Sequence, residues 1–152
     1  MKYFSSLLVS SLAVSLLLVA GGYYWFSTSA TQRKKSANSK VHQIKTSSEF
    51  EAYLKENQPV IAKFYANWCL PCQTMTPVFE EAAHTYSDKA TFVALDMDNS
   101  ALASLFDKYA NQGVPTFVFF AANGTKVKDH VGAYAPNNLL NKDIEALFNS
   151  NK

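Results

Sequence analysis

Pro59-Val60-Ile61-Ala62-Lys63-Phe64-Tyr65-Ala66-Asn67-Trp68-Cys69-Leu70-Pro71-Cys72 decides the reading of this chain. An apolar run of strand length gives way, within a few residues, to a C-x-x-C at the start of a helical pattern that runs from Leu70 to Ser87. These are the only two cysteines among 152 residues. All thiol chemistry is therefore confined to one motif, as dithiol/disulfide exchange or as soft-metal binding.

A thiol reacts as its thiolate, and the first turn of a helix stabilises that anion through unpaired N–H groups and the positive end of the dipole. Cys69 falls at that turn, and Pro71 suits it because its missing N–H would have no intrahelical partner. Cys69 is accordingly the expected attacking thiol. Cys72, about one turn deeper, is placed to resolve a mixed disulfide. A purely structural bridge would close too short a loop to constrain the unfolded chain much. A closed zinc site needs four ligands, and His42, His84 and His130 form no H-x(3-5)-H pair. No metal site is expected from them, although two thiolates alone remain able to hold a soft ion.

Working outward, the elements alternate. Val41–Lys45 reads as a short strand. Ser48 and Glu51 read as a capping box opening a helix through Phe50, Tyr53 and Leu54. Pro59–Tyr65 is apolar enough for a central strand buried on both faces. The helix after the cysteines contains Pro77, which should kink it. Thr91–Asp96 is a third strand, and Ser100 reads as the cap of a helix over Ala101–Tyr109. Thr116–Phe120 and Lys126–Val131 flank Asn123-Gly124, a hairpin signal. A last helix covers about Asn138–Phe148. The order βαβαβαββα predicts an α/β domain with a mixed five-stranded sheet and helices on both faces.

Charge divides the chain. Lys2, Arg33, Lys34, Lys35 and Lys40 meet no acid in the first forty residues, while the other nine lysines face all twelve carboxylates. The folded part carries no nucleic-acid footprint. Tyr3–Gln32 has no charge, Leu7–Ala20 is rich in Leu and Val, and Tyr23-Tyr24-Trp25-Phe26 is the composition of a headgroup layer. Residues 1–26 are expected to be an uncleaved signal anchor or, with Thr28-Ser29-Ala30 as a small-residue cleavage site, a signal peptide. Residues 27–40 read as a flexible linker, and 41–152 as the domain. An anchor would hold the domain in the periplasm at the inner membrane, and a cleaved signal would leave it periplasmic. Arg33-Lys34-Lys35, by the positive-inside bias, argue for a cytoplasmic-facing orientation instead.

From about Val41 onward the chain resembles a thioredoxin. The marks are Tyr65-Ala66-Asn67-Trp68-Cys69-Leu70-Pro71-Cys72, Pro77 five residues later, Gly113-Val114-Pro115-Thr116, Asn123-Gly124 and Gly132. The resemblance implies a thioredoxin fold and a cis bond between Val114 and Pro115, where the backbone of Val114 offers an edge to a substrate strand. It implies that Trp68 shields the thiols, with Leu70 and Pro71 beside them. Two departures stand out. Where the family usually has a buried acid partnered by a lysine, this chain has Lys63 and Ala94. Lys63 could transfer a proton, favour a thiolate as a cation, or simply snorkel to the surface, and Glu80 and Glu81 are alternative proton carriers. The second departure is Leu-Pro in place of Gly-Pro, which keeps the pattern of a reductant and adds an apolar side chain that could bias substrate choice.

The implied activity is thiol:disulfide exchange with exported or periplasmic proteins, as a monomer without cofactor, recharged by a membrane electron donor. A thioredoxin-fold chaperone, a copper-binding module and a disulfide-forming oxidase use the same cysteines and stand as alternatives.

Overall fold

The structure, a computed structural model, describes residues 39–150. The expected anchor and most of the linker lie outside the described residues. Among the described residues no helix is long and apolar enough to cross a membrane.

Five strands form one sheet: β1 (Val41–Ile44), β2 (Val60–Tyr65), β3 (Thr91–Asp96), β4 (Thr116–Phe120) and β5 (Lys126–Val131). The spatial order is β1-β3-β2-β4-β5. β3 pairs in parallel with β1 and β2, whereas β4 runs antiparallel to β2 and β5. The continuous apolar run thus lies at the centre of the sheet, where both faces are covered and alternation is not required. Helices α2 (Leu70–Tyr86) and α4 (Asn138–Ser150) cover one face, and α1 (Ser47–Tyr53) and α3 (Ala103–Tyr109), the latter entered by a 3-10 turn at Ser100–Leu102, cover the other.

Side chains of β2 alternate between the two cores. Ile61 joins Phe79, Phe92, Phe117 and Ile144 beneath α2 and α4. Val60, Ala62 and Phe64 join Phe50, Leu95, Phe106 and Phe120 beneath α1 and α3. Gly124 closes the β4–β5 hairpin at φ +77°, and a Cβ there would stand 2.7 Å from the carbonyl oxygen of Leu54. Only glycine satisfies both the left-handed turn and that approach.

Two helix starts differ from expectation. α1 is capped by Thr46, whose hydroxyl accepts from the Glu49 N–H at 3.2 Å, while the Lys45 N–H donates to the Glu49 carboxylate at 2.7 Å. The box is therefore set two residues earlier than Ser48/Glu51, and it ends β1 at Ile44 by taking the Lys45 N–H out of the ladder. Asn99, not Ser100, caps the turn before α3, accepting from the Ala101 N–H at 3.1 Å and donating to the Lys45 carbonyl at 2.9 Å. The longer amide reaches both ends at once. α2 runs on through Pro77, which cannot donate to the carbonyl four residues earlier.

Candidate active site

The end of β2 and the start of α2 bring the dithiol to the surface. Cys69 is the N-cap of α2 in extended conformation, and the Cys72 N–H points at its Sγ from 3.2 Å. The two cysteines are joined in a disulfide. They differ in access: Cys69 is 7% exposed and Cys72 only 1%. An N–H aimed at one sulfur, together with the helix dipole behind it, is the arrangement that stabilises a thiolate once the bridge is reduced.

The loop around the pair is held from several sides. The Gln73 side chain donates to the Asn67 carbonyl at 2.7 Å, and Asn67 donates to Asp96 Oδ2 at 2.7 Å. Trp68 is 66% exposed, and its indole N–H donates to Asp98 Oδ1 at 3.3 Å. Leu70 is 72% exposed, and Pro71 is also at the surface. The Val114–Pro115 bond is cis, as the resemblance implied, and the Val114 carbonyl oxygen lies 3.6 Å from Cys69 Sγ. Pro115 is buried, with its carbonyl accepting from the Gly132 N–H at 2.7 Å, and Val114 is half-buried. Gly132 needs its positive φ of 96° for that return. A second cis bond precedes Pro136, before α4.

Lys63 does not snorkel. It is 4% exposed, opposite Ala94 in the β2–β3 register and Phe117 in the β2–β4 register. α2 lies over it, so the short path to solvent that an edge lysine would use is absent. Its Nζ donates to Thr76 Oγ1 at 3.0 Å, and the Thr76 hydroxyl donates to the Cys72 carbonyl at 3.0 Å. The amine thus sits one hydroxyl away from the backbone of the inner cysteine. Its Nζ is also 5.2 Å from the centre of the Tyr65 ring and 5.5 Å from that of Phe79, within range of attraction to an aromatic face. Burial pulls the amine down to about pKa 8, with the Glu80 carboxylate acting in the opposite direction.

Thr76 and Asp98 escaped the sequence reading. Thr76 could have been found as the residue four positions after Cys72, because helical threonines bond back to the i−4 carbonyl. Asp98 sits in the turn after β3 and carries no local signal that it meets Trp68. Among the described residues no cluster of three or more His, Cys, Asp or Glu side chains comes together as a metal site.

A dithiol at the head of a helix, beside a cis-proline at the start of an antiparallel strand, defines a protein of the thioredoxin-fold disulfide-exchange class. The thioredoxin family profile matches residues 41–146. The chain belongs to the thioredoxin family and is a thiol:disulfide oxidoreductase. It is similar to thioredoxin-1 of Schizosaccharomyces pombe, 38% identical over 93 residues that make up 61% of this chain and 86% of that one. It is 32% identical to the thiol:disulfide interchange protein TxlA homolog of Synechocystis over 62% of this chain and 52% of the relative. Among solved structures, the thioredoxin of Malassezia sympodialis superposes with a TM-score of 0.63 at 31% identity, covering 72% of this chain and 93% of the other.

Proposed function

We propose that this oxidoreductase works in the reducing direction on disulfides of exported proteins, with Cys69 as nucleophile and Cys72 as resolving thiol. The observation that carries the assignment is the asymmetry of the pair: only Cys69 reaches the surface, between exposed Trp68 and Leu70 and next to the Val114 carbonyl. A substrate strand that pairs with the Val114 backbone would present its disulfide to that sulfur, with Leu70, Pro71 and the ring of Pro115 shaping the approach.

In the first step the Cys69 thiolate attacks one substrate sulfur, and the other leaves as a thiolate and takes a proton. Cys72 then loses its proton to water and attacks Cys69 Sγ. The bond to the substrate breaks, the second substrate thiolate leaves, and the Cys69–Cys72 bridge forms. Two electrons pass to the substrate, so each cycle needs an external dithiol donor. The uncharged Tyr3–Gln32 segment supports export and a donor at the membrane.

Lys63 acts in the second step. With a pKa of about 8 it is mostly an ammonium at neutral pH, and a cation near Cys72 lowers the energy of the anion that must form there. Its replacement by Met should leave the first attack intact and slow product release, with the difference fading as pH rises through 8.

Direction is tested by equilibrating the full chain in glutathione buffers. A midpoint near about −270 mV, the thioredoxin value, supports the reductant, and one near about −120 mV, the value of a strong oxidant, would reassign it as an oxidase. Export is tested by fractionation: membrane association that survives alkaline extraction supports the anchor, and a mature N-terminus at Thr31 supports the cleaved signal.

A further inference from the structure

Lys63 and Glu80 line the same cavity of about 180 Å³, together with Gln43, Tyr65, Asn67 and Thr76. Lys63 enters it from β2 and Glu80 from α2, one helical turn beyond Thr76. Among the described residues the ion pairs within 4 Å are Lys126–Asp129 and Lys128–Asp143. Glu80 therefore faces the amine across the cavity without touching it. The next carboxylate on the helix, Glu81, is exposed and does not line the cavity.

The surroundings of the amine are otherwise poor in charge. α2 contributes Thr76, Phe79 and Glu80, and Thr76 connects the amine to the Cys72 carbonyl. β2 contributes Tyr65, β1 contributes Val41 and Gln43, and β3 contributes Ala94. On the β4 side Lys63 is level with Phe117, beyond which His130 of β5 continues the row. Glu80 is the one carboxylate in the lining of the cavity. We infer that Glu80 is a positioning residue that keeps Lys63 charged across this cavity, and thereby sets the pH range over which Cys72 resolves the mixed disulfide.

The physical reason is the competition at a desolvated amine. Burial favours the neutral form, and a carboxylate separated from it by a part-buried gap favours the cation without needing a contact ion pair. Ala94 in the register position opposite Lys63 supplies no counter-charge, so the task falls to α2. Because Glu80 and Thr76 are one turn apart on the helix that begins with the dithiol, the carboxylate, the hydroxyl and Cys72 are carried on one rigid element. The inference rests on the role given to Lys63 above.

Two readouts separate the pair from that role. The Lys63 side chain is titrated by NMR at Cε in the full chain, in the wild type and in the Glu80→Gln and Glu81→Gln variants. Release of product from a preformed mixed disulfide is followed over the same pH range. In Glu80→Gln the Lys63 midpoint is expected to fall by about half to one pH unit, and the pH at which release loses its dependence on Lys63 should fall with it. Glu81→Gln should move neither. A midpoint that stays in place in Glu80→Gln, or that moves equally in Glu81→Gln, overturns the inference. A midpoint that falls while the release profile stays fixed overturns the link to Cys72, and with it the role of Lys63, while leaving the electrostatic pair standing.

Discussion

The two faces of β2 differ in what they bury. Toward α1 and α3 the strand presents Val60, Ala62 and Phe64, and the core they enter buries no charged side chain among the described residues, with Phe64 edge-on to Phe106 at 5.0 Å and to Phe50 at 6.4 Å and tilted against Tyr109 at 6.1 Å. Toward α2 and α4 the same strand presents Ile61, Lys63 and Tyr65, and the core there admits an amine, a cavity and a phenol. Tyr134 in that core donates to Asp143 at 2.8 Å, and burial and this bond push its phenol well above the ordinary tyrosine range. The face that carries the redox helix is the one that departs from close apolar packing. Both faces bury large apolar side chains, and the buried charged group among the described residues lies on the α2 side.

The comparison is broken most forcefully on the apolar side. Phe64→Ala removes a fully buried ring from the cluster of Phe50, Phe106 and Tyr109 and should cost about 3–5 kcal/mol in denaturant unfolding. A loss below about 1 kcal/mol would show that this ring contributes little to the packing of that face.

On the other face the sign should reverse. The folded-state pKa of Lys63 lies below the ordinary lysine value of 10.5, at about 8, so the unfolded chain binds the proton more tightly. The penalty is complete below about pH 8, shrinks as pH rises, and is gone above 10.5. Lys63→Met should therefore stabilise the fold by up to about 3 kcal/mol at pH 7, with the gain fading toward pH 10. Equal stability of variant and wild type at pH 7 would mean that the buried amine costs the fold nothing.

Tyr134→Phe sharpens the contrast at smaller scale. It removes one donor from Asp143, which keeps Lys128 as a partner, and should cost about 1 kcal/mol, measurable as a shift in denaturation midpoint. A cost as large as that of Phe64→Ala would make the polar contact, and not packing, the main support of α4.

The sequence revealed those features that rest on local rules. The central strand, the dithiol at a helix start and the Asn123-Gly124 hairpin each carry their own signal, and the structure contains all three. The cap of α1 lies two residues before Ser48 because Thr46-x-x-Glu49 and Ser48-x-x-Glu51 are both valid boxes. The choice between them is made by where β1 ends and by the need to bury Phe50. The placement of Lys63 was not legible, because a lysine on a strand snorkels or stays buried according to what lies above it. Here that is α2, with Thr76 offering an acceptor, and no pattern within β2 encodes that neighbour.

The most direct test of the account is covalent trapping with Cys72→Ser in the full chain. Without the inner thiol the mixed disulfide cannot be resolved, so a disulfide-containing substrate should remain bound to Cys69 as an adduct released by reductant, and Cys69→Ser should form none. Adducts on the Cys69→Ser chain, with none on Cys72→Ser, would show that Cys72 attacks first and would contradict the roles drawn from the difference in access between the two sulfurs.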